Sequence, residues 1–440
     1  MITALPDWAS DIGVRVGASD TVTRLGKVAK VSGLVVESEG PQVSLGELCE
    51  IVSPSSDLSI HAEVVGFRDH RILLMPLEEM DGIHPGCHVK VGSRESRMPC
   101  GEPILGRVFN GLGRPIDDLG PIPSRKTEGV LRKRLNPLLR KRIQDRFETG
   151  IKAIDLFSPV GEGQRMGVFA GSGVGKSTLM GMLARGSRAD VNVIALVGER
   201  GRELREFIEK DLGEEGMKRS VVVVSTSDES APLRLRAAHL ATSIAENFRE
   251  SGKKVLFLMD SVTRYAMAQR EVGLAIGEPP ASRGYTPSVF SKLPKLLERS
   301  GNSERGSITA FYTVLVEGDD LNEPISDSVR GILDGHIVLS RRLATSNHFP
   351  AINVLDSVSR LVSDVASEEE IELSAISRDY LSLYRKNEDM INLGAYASGA
   401  NGKVDAAIQV HERVMGFLRQ KHTERVPVSE AYAQLKELIG

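Results

Sequence analysis

Val168-Phe169-Ala170-Gly171-Ser172-Gly173-Val174-Gly175-Lys176-Ser177-Thr178-Leu179 decides how the rest of the chain is read. An apolar run feeds a glycine-rich turn, and Gly-Lys-Ser then opens a helix-like Leu179-Met180-Gly181-Met182-Leu183-Ala184. This is the P-loop pattern, in which backbone N–H groups of the turn and of the helix N-terminus surround phosphate oxygens. Gly171 to Thr178 are the expected cradle. Lys176 is expected to reach the β- and γ-phosphates, and the Ser177 hydroxyl to ligate Mg²⁺. Ala170 stands where the usual first glycine would be. Gly171, Gly173 and Gly175 remain, so the backbone can still approach phosphate closely. A glycine-rich turn with no ligand would not need Gly-Lys-Ser in register between strand and helix. The stretch predicts binding of a nucleoside triphosphate.

At 440 residues the chain exceeds what one hydrophobic core fills and predicts two or three domains. Hydrophobic residues at 41% and charged residues at 26% are ordinary for a soluble globular protein. A net charge of −3 offers no global attraction to nucleic acid or acidic membranes. Cys49, Cys87 and Cys100 lack metal-ligand spacing, and their odd number fits a reducing compartment. The apolar run Val255 to Met259 is far short of a membrane span. Met1-Ile-Thr-Ala-Leu-Pro-Asp-Trp8 lacks the basic start and apolar core of a signal peptide. The expected location is the cytoplasm.

In chain order, residues 1–20 read as a partly amphipathic lead, a frayed end or a partner-binding segment. Residues 21–97 are short β-rich pieces such as Gly33–Glu37, Ala62–Gly66 and Arg71–Met75, which predict a small barrel or sandwich. Phe67 is the only aromatic residue there, which argues against base stacking and single-stranded nucleic acid. Residues 98–149 read as a connector, with a turn-dense hairpin in Gly106–Asp117. A basic stretch follows: Arg125, Lys126, Arg132, Lys133, Arg134, Arg140, Lys141, Arg142 and Arg146. Glu128, Asp145 and Glu148 interrupt it, so a solvated linker is the favoured reading over an anionic partner, either lipid headgroups or acidic protein.

Between 150 and 364, strand-like runs alternate with helical patterns. Met166–Ala170, Val191–Val197, Val221–Ser225, Val255–Met259, Ser307–Val314 and Gly335–Leu339 are the strands, with Leu233–Glu250 helical. Such alternation predicts a mostly parallel α/β sheet, with ligand beyond the C-terminal strand ends. In 365–440 the strand signal stops. Ser367–Glu370 is a capping box, and Leu373, Ile376, Tyr380 and Leu383 then fall at helical spacing. Val404–Gln420 and Ser429–Ile439 complete an expected helical domain.

Lys253-Lys-Val-Leu-Phe-Leu-Met-Asp260 is an apolar strand ending in a carboxylate, the Walker B pattern, so Asp260 is expected to orient Mg²⁺. Hydrolysis also needs a group that positions and polarises water. Glu199, two residues beyond the Val193–Val197 strand, is the expected carboxylate, and Glu203 its local competitor. An arginine should neutralise transition-state charge. Arg200, Arg264, Arg283 and Arg360 are candidates that composition does not separate.

Pro350-Ala-Ile-Asn-Val-Leu-Asp-Ser357-Val-Ser359-Arg360 resembles the signature of α/β-type subunits of rotary ATPases and their export relatives. Gly198-Glu-Arg-Gly-Arg-Glu203 resembles the catalytic-glutamate motif of that superfamily. Asp260–Glu271 and Gly277–Pro294 are similar to the flagellar and type III protein-export ATPases. Ala170–Ser177 and Gly306–Asp320 look like the flagellar branch. The likeness runs from about residue 25 to the C-terminus and is strongest between 135 and 360.

The resemblance implies an N-terminal β-barrel, a RecA-like P-loop ATPase core and a C-terminal helical domain. It also implies a homohexameric ring with ATP and Mg²⁺ at subunit interfaces. Lys176 and Ser177 then match phosphate and metal ligands, Glu199 the catalytic carboxylate with Arg200 beside it, and Asp260 the metal-orienting acid. Arg360 matches the arginine finger that reaches a neighbour's site. Phe349 stands where relatives often carry Tyr against adenine, keeping the stacking and losing the hydroxyl. The implied function is ATP hydrolysis energising flagellar export through a type III apparatus. Implied partners are export-gate, stalk and regulator proteins, export substrates and their chaperones, at the inner-membrane surface and without nucleic acid. Effector export by an injectisome-type ATPase and a catalytic rotary-synthase subunit are the alternatives. A non-hydrolysing subunit would resemble this pattern with Gln in place of Glu199.

Overall fold

A computed structural model describes residues 25–54, 58–92, 97–123, 127–129, 135–316, 318 and 320–439. The lead at 1–20 lies outside the described residues, as do Arg125, Lys126, Arg132, Lys133 and Arg134 of the basic stretch. The chain forms two compact units, one within residues 1–95 and one within 96–440.

Six antiparallel strands make the first unit: β1 (Leu25–Ser32), β2 (Val35–Glu39), β3 (Leu48–Val52), β4 (Ser59–Arg68), β5 (Arg71–Pro76) and β6 (His88–Val91). They close into a barrel in the order β1-β2-β5-β4-β3-β6, which removes the free sheet edges that a sandwich would keep. Alternate residues Ile60, Ala62 and Val64 of β4 point inward, as the two-residue period of a strand requires. The interior is aliphatic, with Cys49 and Cys87 in it, and Phe67 lies outside at 56% exposure.

The second unit is built on one eight-stranded sheet. Its strands are β7 (Val108–Asn110), β8 (Arg165–Ala170), β9 (Val191–Glu199), β10 (Ser220–Thr226), β11 (Lys254–Asp260), β12 (Ser307–Leu315), β13 (Gly335–Leu339) and β14 (Val358–Ser359). Their order is β14-β13-β8-β12-β11-β9-β10-β7, and every pair is parallel except β13–β14. Val255 to Met259 are completely buried, because helices cover both faces and no alternation is needed.

One edge of this sheet comes from the stretch read as a connector. There β7 pairs in parallel with β10 through Val108 and Val222. Arg107 clasps Asp117 through two 2.7 Å hydrogen bonds, and the Val108 amide donates to the same carboxylate at 2.9 Å. Against the burial that would raise it, these donors hold the Asp117 carboxyl down at about 2. The hairpin expected in Gly106–Asp117 is present, with the Asn110 amide donating to the Arg114 carbonyl at 2.9 Å, and its first arm, only three residues long, doubles as this edge strand. Two described members of the basic stretch are also internal clasps. Arg140 donates to the carbonyls of Ser300 and Glu298, and Arg146 pairs with Glu370 at 2.6 Å.

The helices that matter for function are α1 (Lys152–Phe157), α2 (Lys176–Gly186), α3 (Ala231–Glu250), α4 (Val262–Ile276), α5 (Glu368–Asn392), α6 (Gly402–Leu418) and α7 (Val428–Ile439). The capping box opens α5: Ser367 Oγ accepts from the Glu370 amide, and the Ser367 amide donates to Glu370 Oε2 at 2.9 Å. Its buried face is Leu373, Ser374, Ser377 and Leu381. Of the stripe expected from spacing only Leu373 belongs to it, and Ile376 is 39% exposed. Two serines, Ser374 and Ser377, take the buried positions beside Leu373 and Leu381 instead of Ile376, Tyr380 and Leu383. Among the described residues, no helix is long and apolar enough to cross a membrane.

Candidate active site

The central strand β8 delivers the chain to the site. Ala170 is 1% exposed and pairs with Leu315 on one side and Leu339 on the other. It is therefore the last residue of a strand, where a Cβ is tolerated, and this accounts for the missing first glycine. Beyond it Gly173 and Gly175 adopt φ of 76° and 92°, the left-handed region that glycine enters without steric cost. Buried Val174 pins the turn while Ser172 and Gly173 face outward. Gly175 is the N-cap of α2, and no side chain caps the first-turn amides, the arrangement in which a helix N-terminus can take an anion.

Lys176 opens α2 and reaches across the sheet top. Its Nζ lies 2.6 Å from Asp260 Oδ1 and 3.3 Å from Glu199 Oε1. Those carboxylates end neighbouring parallel strands, in which Leu196 of β9 pairs with Asp260 of β11. Burial disfavours the ammonium charge, but Asp260 and Glu199 outweigh it and hold the Lys176 pKa above its ordinary value. Burial and the Asp260 carboxylate raise the Glu199 pKa, while Lys176 and Arg264 oppose them. Thr313 on β12 donates to Asp260 Oδ1 at 2.7 Å and fixes its orientation.

Gly198 lets Glu199 turn into this cluster. Its φ is 72°, and a Cβ there would stand 2.8 Å from Arg264 Cβ. The stem of Arg264 crosses over Gly198, which brings its charge to Glu199. Arg264 Nε is buried without a partner among the described residues.

Phe349 lies over the other side of the loop, with ring atoms 3.5 Å from where a Gly175 Cβ would be. It borders a cleft of about 650 Å³, also lined by Thr178, Pro350, Arg419, Gln420 and Glu424. Gln420 fastens this wall. Its amide donates to the Phe349 carbonyl at 2.9 Å, and its side chain donates to the Gly150 carbonyl at 2.8 Å. The Thr178 hydroxyl is engaged by Asp211.

Other expected residues are not brought here. Arg200 is exposed and only loosely paired with Glu203, at 3.4 Å, and Glu203 itself points to solvent from the next helix. Arg283 pairs with Asp320. Arg360 follows Ser359, which pairs with Gly335, and Gly335 in turn pairs with Met166 at the start of β8. That places Arg360 at the opposite end of the sheet, roughly 13 Å of strand from where the P-loop begins. It is exposed and donates to the Arg330 carbonyl at 3.2 Å, with no carboxylate partner among the described residues.

The donor set fits a hard cation shared with phosphate. Asp260 and the Ser177 hydroxyl offer oxygen, and Mg²⁺ is commonly held by one or two carboxylates plus substrate phosphates. Among the described residues, no group of three or more His, Cys, Asp or Glu side chains could hold a metal alone. Sequence reasoning missed Thr313, which looks like one more strand residue, and the 419–424 wall, whose first two residues fall inside the expected helix Val404–Gln420 whereas α6 ends at Leu418.

Comparisons with known proteins agree with this architecture. Residues 28–91 match the beta-barrel domain of the ATP synthase alpha/beta family, and residues 150–359 its nucleotide-binding domain. Residues 366–437 match the C-terminal domain of type III secretion EscN ATPases. The chain is 52% identical over 429 residues to the flagellum-specific ATP synthase of Bacillus subtilis, covering 96% of this chain and 97% of that one. It is 48% identical to the type 3 secretion system ATPase of Xanthomonas euvesicatoria, over 94% and 93% of the two chains. The assembled ATPase EscN of enteropathogenic E. coli superposes with a TM-score of 0.89 at 41% identity, covering 94% of this chain and 100% of that one. EscN in complex with its central stalk EscO gives 0.86 at 41% identity, with the same coverage.

Proposed function

The chain belongs to the flagellar and type III secretion ATPases of the ATP synthase alpha/beta family, and we propose that it hydrolyses ATP to energise export of flagellar proteins. The observation that carries the chemistry is Lys176 bridging Asp260 and Glu199 at the C-terminal strand ends. The P-loop amides and Lys176 bind the β- and γ-phosphates. As phosphate arrives, Lys176 exchanges its carboxylate partners for phosphate oxygens. Asp260 and Ser177 are then free to hold Mg²⁺, which when bound neutralises charge on the phosphates. Glu199 accepts a hydrogen bond from water and aims it at the γ-phosphate. Phe349 stacks on the adenine.

Arg360 completes the site of the next copy. Its position at the far end of its own sheet, exposed and unpaired with acid among the described residues, supports a role in trans. Always charged, its guanidinium stabilises the transferring phosphoryl group. The working form is therefore a ring of identical copies, a homohexamer. EscN is described both as an assembled ATPase and in complex with a central stalk, which supports self-assembly and a stalk partner for this chain. Export-gate and regulator proteins, export substrates and chaperones are the other partners, at the cytoplasmic face of the inner membrane. Effector export is the second reading, favoured by the 48% identity to a type 3 secretion system ATPase. The test is Mg²⁺-dependent ATPase activity of the purified chain, absent in Lys176→Ala, together with loss of flagellar export in cells carrying that variant. Hydrolysis by Lys176→Ala would refute the site, and intact flagellar export would refute the cargo.

A further inference from the structure

Arg378 lies on α5 in the C-terminal helical region but turns its guanidinium toward the nucleotide-binding core. It donates to the carbonyl of Phe157, the last residue of α1, and to the carbonyl of Ser357 at 3.2 Å. The same group stands over the Phe157 ring, 5.8 Å from its centroid. Burial lowers its pKa, and among the described residues no carboxylate pairs with it. Holding a guanidinium partly out of water on carbonyls alone is costly, so stability is a poor reason for it.

Ser357 comes three residues before Arg360, and the segment between them is tied mainly to the core. The Val338 amide donates to Ser357 Oγ at 3.0 Å, Gln164 Nε2 to Ser359 Oγ at 3.0 Å, and the Arg360 amide to the Asp334 carbonyl at 2.9 Å. From the helical side, Arg378 holds Ser357, and Arg385 adds an exposed ion pair to Asp356 at 3.1 Å, the kind worth little. Close packing does not fix the spacing between α5 and this segment. A pocket of about 270 Å³, open to solvent, lies between them, lined among others by Phe157, Ser357, Ser359, Val362 and Arg378. With open space in place of packed atoms there, the Arg378 hydrogen bonds are the part-buried link from α5 to the segment.

We propose that Arg378 is a positioning residue for Arg360, tying its segment to α5 so that the helical region of one copy sets the reach of Arg360 into the next. This rests on the reading that Arg360 acts in trans. A displacement of about 1 Å in such a group can cost on the order of a hundredfold in rate.

Mixed rings of full-length chains test it, because finger defects and P-loop defects complement differently. Arg378→Ala alone should lose at least ~10-fold in kcat, with the KM for ATP nearly unchanged because its own P-loop is intact. Mixed with Lys176→Ala, it should regain activity, since that partner supplies a well-held Arg360. Mixed with Arg360→Ala, it should show no gain over its own reduced rate, since every interface then has a defective finger. The opposite pattern, rescue by Arg360→Ala and none by Lys176→Ala, would mean damage to its own site and would overturn the proposal. So would wild-type kcat in Arg378→Ala. The pair Lys176→Ala with Arg360→Ala runs alongside. If it recovers and the Arg378 pattern is reversed, only the positioning role falls; if it fails, the trans reading falls with it. Should Arg378→Ala not assemble, Arg378→Gln keeps a donor without the reach to both carbonyls, and its complementation pattern decides in the same way.

Discussion

Lys176 Nζ sits 2.6 Å from Asp260 Oδ1, with Asp260 only 5% and Lys176 13% exposed at the side chain. The ammonium thus lies between two carboxylates and offsets their charge, keeping Asp260 and Glu199 together at the strand ends.

Lys176→Ala should therefore lose both activity and stability. Transition-state stabilisation should fall by about 3 kcal/mol or more, a hundredfold or greater loss of kcat/KM. Breaking the buried pair should also cost about 3–5 kcal/mol of folding stability at pH 8. Glu199 already has a raised pKa from burial and from Asp260, and losing Lys176 raises it further. An acid with a raised folded pKa destabilises the fold above that pKa, and the penalty is relieved as pH falls through it. Urea denaturation should accordingly show a smaller deficit against wild type at pH 5.5 than at pH 8. A deficit that grows with acidity would contradict the pairing.

Glu199→Gln should bind ATP as well as wild type and turn it over at least ~100-fold more slowly. If the ionised Glu199 carboxylate activates water, its raised pKa should place the acid limb of the kcat/KM profile above the ordinary glutamate value of about 4.3. That limb should be missing in the variant. Glu203→Gln, out on an exposed helix, should behave as wild type. The reverse assignment would show as a dead Glu203→Gln and an active Glu199→Gln.

Phe349→Ala should raise the Kd for ATP by roughly 5- to 150-fold, the range expected for losing about 1–3 kcal/mol of base stacking. Phe349→Tyr should stay within a few-fold of wild type, because the ring face is kept. Equal affinity in the alanine variant, measured by calorimetry with a non-hydrolysable analogue, would show that Phe349 does not stack on the adenine.

Gly198→Ala should fold yet lose activity. The new Cβ would meet Arg264 Cβ at 2.8 Å, and φ of 72° is strained for alanine. Relief moves Arg264 or Glu199, so kcat should drop at least ~10-fold, with a smaller change in ATP affinity. An unchanged kcat would show that the Gly198 turn does not hold Glu199 in place.

Much of this was legible in the residues. The P-loop, Asp260 and Glu199 sit at the ends of apolar runs, and strands covered on both faces announce themselves by composition. Val255 to Met259 show why, since complete burial leaves no room for polar alternation. The turn residues of Gly106–Asp117 announce a hairpin, but three residues among glycines and prolines carry no period to show that its first arm joins the main sheet. Thr313 and Gln420 escaped for another reason. Each works through a contact made by the fold, with Asp260 53 residues away in one case and the Gly150 carbonyl 270 residues away in the other. No local pattern encodes such distances. Arg360 was assigned by resemblance alone, and its physical rationale, a place remote from its own P-loop, came only with the sheet register.

The most direct test of an active site shared between two copies is to mix Lys176→Ala with Arg360→Ala. Each protein alone should be inactive, one lacking the P-loop cation and the other the finger. In mixed rings, confirmed by native mass spectrometry, some interfaces join an intact Lys176 to an intact Arg360, and ATPase activity should reappear. Titration of each variant with wild type measures how far dead neighbours silence a good site. Recovery on mixing is the predicted result. Confirmed mixed rings that tolerate dead neighbours and still stay at background would contradict the shared site.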